Sequence, residues 1–135
     1  MRRASGHVKP GHAGLAAAFL AGFLLVGIPY WRIPYNKATF GSVVGGAVLI
    51  GIVALVARVV VQGRFAVLVF VVAAAVPFAV FARVVADGMR DPTSHNLWPF
   101  EIAIAWVVGF AGAAPGALVG SGLRRLLGVR STPRI

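Results

Sequence analysis

The sequence predicts an all-α integral membrane protein, a four-helix bundle with both termini on the cytoplasmic side. Three observations carry this expectation. The chain is 59% hydrophobic and 12% charged, against a charged share of about 25% in a soluble domain, and its mean hydropathy is +0.90. Residues 13–31, 38–57, 65–82 and 102–123 carry no charge, and a spanning helix needs about 20 mostly apolar residues. The basic residues flank these stretches and are unevenly shared between the two sides. With their flanks, the predicted spans of the single membrane domain are about 13–31, 38–57, 65–86 and 97–123.

The first stretch competes with a cleaved signal peptide. A signal's apolar region is about 7–15 residues long and ends in small residues. This one is 19 residues long and runs into Pro29-Tyr30-Trp31-Arg32, an aromatic interface anchor, so a retained helix is expected. Tyr30 and Trp31 at the end of this stretch, Tyr35 on the following loop and Trp98 beyond the second polar loop form a candidate aromatic surface at head-group level. Rings of this kind serve a membrane belt or stack on a ligand.

The second stretch carries Gly41 and Gly45, four residues apart and therefore on one helical face. Such small-xxx-small spacing lets backbones approach closely in lipid. Arg58 and Arg64 bracket a turn through Gln62-Gly63. The third stretch contains Pro77, which bends a membrane helix and frees a carbonyl. Arg83 and Asp87 follow four residues apart, a spacing that allows an ion pair. Before the fourth stretch, Asn96 is the expected N-cap, with Pro99 in the first turn and Glu101 near the positive helix end. Gly112, Gly116 and Gly120 then repeat every four residues, the strongest packing signal in the chain.

Four spans place the termini on one side. That side collects nine basic residues, Arg2, Arg3, Lys9, Arg58, Arg64, Arg124, Arg125, Arg130 and Arg134, and no acid. The other holds Arg32, Lys37, Arg83 and Arg90 together with all three acids. Positive-inside bias puts the nine in the cytoplasm. The net charge of +10 then reads as contact with anionic lipid head groups. No basic run interleaved with aromatics points to nucleic acid.

Polar chemistry concentrates in residues 83–101. Arg83, Asp87, Asp91, His95 and Glu101 are expected to form one cluster at the outer head-group boundary. Carboxylates with one histidine offer hard or borderline metal ligands, but a lone His95 without an HExxH pattern assigns no metal. Ser94-His95 with nearby carboxylates can be read as a nucleophile and base, although adjacent side chains rarely face each other. Asp91-Pro92-Thr93-Ser94 also reads as a turn closed by the aspartate side chain. No cysteine is present, so disulfides and thiolate sites are excluded. No histidine or acid lies mid-span, so no haem ligand or proton-coupling group is signalled, and no cofactor is expected.

The runs Trp31-Arg32-Ile33-Pro34-Tyr35-Asn36-Lys37 and 91–101 cover less than a sixth of the chain. Through them it resembles small four-helix bacterial inner-membrane proteins for which no activity is known. That resemblance implies architecture alone. The leading functional expectation is a non-enzymatic accessory or assembly subunit with a membrane-protein partner or self-association. A small oligomeric pore, carrier or holin-like protein is the second, and a membrane-embedded enzyme using the 83–101 loop the third.

Overall fold

The computed structural model describes residues 10–34, 40–94 and 96–128. They form four helices: α1 (Pro10–Arg32), α2 (Phe40–Val60), α3 (Phe65–Arg90) and α4 (Trp98–Leu126). All four are long and apolar enough to cross a membrane, the pattern of a multi-pass membrane protein. The connections bring Arg83, Asp87, Asp91 and Glu101 to one end of the bundle, here the acidic end. The opposite end carries Arg58, Arg64, Arg124 and Arg125, here the basic end.

Several boundaries differ from the sequence expectation. α1 runs from Pro10 through Arg32, one residue past the predicted end, with Tyr30 and Trp31 in its last turn. α3 runs on to Arg90, which shortens the second polar connection. Leu97, not Asn96, occupies the N-cap of α4, without a side-chain cap. Its carbonyl accepts from the backbone N–H of Phe100 at 2.9 Å and of Glu101 at 3.2 Å. Pro99 lies in the first turn, where a missing N–H costs nothing.

The helices form a ring in the order α1, α2, α4, α3. α2 and α3 each touch the other three, whereas α1 and α4 do not touch among the described residues. Parallel helices therefore sit side by side, α1 with α3 and α2 with α4. α3 is the most enclosed: 56% of its span is buried, against 22–28% for the others. The core is built from small side chains. Ala73, Ala75, Ala79, Ala113 and Ala117 are fully buried, with Ile50, Leu68 and Val72 as the largest enclosed groups.

That composition has a physical reason. Lipid tails are as apolar as leucine, so helices gain from each other by close packing and not by escaping water. Gly112, Gly116 and Gly120 of α4 lie directly against α2. A methyl group at Gly116 would stand 2.8 Å from Gly51 Cα, and one at Gly120 would stand 2.6 Å from Leu55 O. Gly112 rests on the Ala47 carbonyl in the same way. The contact advances four residues on each helix per step, as two parallel helices in register require. Gly109 turns to α3 and meets the Ala73 carbonyl. Pro77, four residues on, has no N–H to offer that oxygen.

The second small-residue pair behaves differently. A methyl group added at Gly45 would meet no atom within 4 Å, and the residue is exposed. Gly51, one and a half turns later, takes the packing position. The surroundings of Gly41 lie outside the described residues, as do Tyr35 and His95.

Candidate functional site

Arg83 organises the acidic end. Its side chain is drawn into the bundle, leaving the residue 9% exposed. Nη1 donates to the Tyr30 carbonyl at 2.7 Å and Nη2 to the Ile33 carbonyl at 2.8 Å. Nε faces Asp87 Oδ2 at 3.3 Å, one turn along the same helix. The guanidinium also lies over the Tyr30 ring, 4.7 Å from its centroid. The two carbonyls belong to the last turn of α1 and the residue beyond it. A helix leaves its final four carbonyls without intrahelical donors. Arg83 thus caps α1 from a neighbouring helix, and the planar fork of arginine suits two acceptors at once.

Trp31 adds a second tie between the same helices. Its Nε1 donates to the Ala79 carbonyl at 2.9 Å, and its ring meets Phe23 edge-on at 5.4 Å. Trp98 stands apart from this pair and packs against Phe81 at 6.4 Å. Tyr30, Trp31 and Trp98 therefore do not form one aromatic surface. Two of them fasten α1 to α3, and the third covers the junction of α3 and α4.

Of the expected cluster, Arg83, Asp87, Asp91 and Glu101 are among the described residues. Arg83 and Asp87 are paired. Asp91 belongs to its own turn: Oδ1 accepts from Thr93 N at 3.0 Å and from Thr93 Oγ1 at 2.8 Å. The Ser94 hydroxyl donates to the Asp91 carbonyl at 2.9 Å. Those Thr93 donors hold the exposed Asp91 carboxyl below its ordinary pKa. Because α3 extends to Arg90, Asp91 starts the connection and is carried away from Arg83. Glu101 is half-buried in the first turn of α4.

Between these elements lies a cavity of about 600 Å³. All four helices line it, and it occupies the acidic half of the bundle, beyond the point where Gly112 meets Ala47. Val26, Leu49, Val76 and Val108 form apolar walls, while Tyr30, Ser42, Arg83 and Glu101 supply the polar groups. Val43, Gly45 and Ile104 line it and are also exposed, so the cavity is open and not sealed. It exists because α2 and α4 pack backbone to backbone only from Ala47 and Gly112 onward. A smaller cavity of about 370 Å³ lies on the other side of Arg83, lined by Trp31, Asp87 and Arg90. Arg83 forms part of the wall of both.

The residues that shape the cavity are mostly invisible as a site in the sequence. Ser42, Gly46 and the valines belong to different stretches, and no spacing rule joins them. The one available signal is the glycine pair Gly45-Gly46, which marks a place where α2 presents no side chain. No family model, no curated protein and no solved structure matches the chain.

Proposed function

We propose that the protein is a non-enzymatic accessory subunit of the bacterial inner membrane that holds an amphipathic, lipid-like molecule in the cavity at its acidic end. The cavity carries this reading. Its volume of about 600 Å³ falls within the 300–1,000 Å³ typical of small-molecule sites. Apolar walls suit a hydrocarbon chain, and polar groups collected at one end suit a small head group. An opening in an apolar surface would admit such a ligand from the bilayer. The division of charge, nine basic residues and no acid against four basic and three acidic, supports cytoplasmic termini and an outward-facing acidic end.

Two experiments test this reading. A methyl group added at Gly46 would have only Val26 Cγ1 nearby, at 4.0 Å, so a large side chain there would fill the cavity at little cost in packing. Gly46→Phe is expected to abolish binding of a fluorescent fatty acid to the purified protein while its melting temperature in detergent holds. Undiminished binding would sink the cavity assignment. For orientation, reporters fused after Arg130 or at Gly63 should behave as cytoplasmic, and reporters near Lys37 or Thr93 as periplasmic. The reverse pattern would overturn the topology.

A further inference from the structure

A second site lies at the basic end, independent of the cavity. The parallel register of α2 and α4 that stacks Gly116 on Gly51 brings Arg58 beside the next turn of α4. A methyl group at Gly120 would stand 2.8 Å from Arg58 Cβ. Arg58 is held there by three contacts. Its Nε donates to Ser121 Oγ at 2.9 Å, its Nη1 donates to the Gly63 carbonyl at 2.9 Å, and its guanidinium lies 5.7 Å from the Phe65 ring centroid. Arg124, one turn beyond Ser121, is only 9% exposed. The turn of α4 that carries Arg124 is thus the one to which Ser121 ties Arg58.

An arginine as buried as Arg124 is normally paired. Neither Arg124 nor Arg58 has a carboxylate side chain to turn to, because Asp87, Asp91 and Glu101 all lie at the far end of the bundle. The carbonyls at the ends of α2 and α4 offer only partial negative charge. Exposed Arg64 and Arg125 raise the local positive potential further. A fixed guanidinium and a buried arginine one turn away, without an acid, suit a phosphate. The two arginines sit where two apolar helices end, at the level a phospholipid head group would occupy.

We infer that Arg58 and Arg124 form a binding site for the phosphate of an anionic phospholipid, with Ser121 orienting the first arginine and the adjoining ends of α2 and α4 receiving the upper acyl chains. Arg58 is itself a structural tie, so Arg124 is the residue to change. The full-length protein would be titrated with cardiolipin and with phosphatidylcholine in mixed micelles, with bound lipid read by native mass spectrometry. Wild-type protein is expected to retain cardiolipin in preference to phosphatidylcholine. Arg124→Gln should weaken that retention about tenfold, as the loss of one charge-assisted contact implies. Arg124→Lys should recover part of it, and Arg125→Gln should leave it nearly unchanged.

A second readout separates this role from a structural one. In lipid-free zwitterionic detergent, Arg124→Gln removes a buried charge and should melt no lower than wild type. With cardiolipin present, wild type should melt higher than the variant. A variant that melts lower in both conditions, or binds cardiolipin as wild type does, overturns the site. Displacement of cardiolipin by millimolar inorganic phosphate would show a general anion site and overturn its assignment to lipid.

Discussion

Replacing Gly116 with alanine is expected to break the contact between α2 and α4 and to cost roughly 3 kcal/mol or more of stability, the upper range for overpacking a well-filled interior. The new methyl group would meet backbone, with Gly51 Cα at 2.8 Å. Backbone cannot rotate away as a side chain can, so the helices must separate along their whole shared length. Thermal melting in mild detergent is the measurement. Gly45→Ala is the informative control, because its methyl group would meet nothing within 4 Å. It should lose no stability, since alanine is the better helix former by about 1 kcal/mol. Val119→Ala, on a side chain 54% exposed, should also matter little. Equal melting temperatures for all three variants would remove the packing account.

Removing the Arg83 side chain should have the second largest effect. Arg83→Ala strands the Tyr30 and Ile33 carbonyls and removes the Arg83 contact to Asp87. Breaking a buried charged contact from one side costs about 3–5 kcal/mol. The lower end applies here, because the Asp87 side chain is 33% exposed. Arg83→Lys should recover only part of the loss, since an ammonium does not span two acceptors as a planar fork does. Asp87→Asn alone should cost under about 1 kcal/mol, as a partly exposed pair one turn apart does. Adding it to Arg83→Ala should restore little, because the carbonyls, not the carboxylate, are the main acceptors. Hydrogen exchange at the end of α1 provides a local check. Faster exchange there in Arg83→Ala is expected, and unchanged exchange would show that the cap contributes nothing.

What the sequence discloses follows from what periodicity encodes. A repeat of four marks one face of a helix, so Gly112, Gly116 and Gly120 can be grouped from their spacing alone. That spacing says nothing of what the face meets. The partner position on α2 is Gly51, whereas Gly45 has the same spacing from Gly41 and opens onto a cavity. The Arg83–Asp87 pairing is legible because both partners are side chains at a fixed interval. The stronger bonds of Arg83 are not, because a carbonyl acceptor leaves no trace in residue identity. Tyr30 and Trp31 read as an interface belt since aromatic residues near a span end serve either lipid or a neighbouring helix. The turn at Asp91 can be read from its own four residues, and that local closure keeps Asp91 apart from the cluster. Arg58 and Arg124 are far apart in sequence, and only the parallel register of α2 and α4 brings them together.

The ring order bears on how the chain is made. A hairpin of successive helices can settle as soon as its second member enters the bilayer. Here α2 finds its closest neighbour in α4, which emerges from the ribosome only after α3. Until then the strip of α2 formed by Ala47, Gly51 and Leu55, which α4 finally covers, remains an open seam. Three inserted helices are thus an unfinished assembly, available to insertion machinery or to the wrong neighbour. Synthesis halted in the 91–97 connection would leave that seam uncovered, and α4 is the helix that closes it.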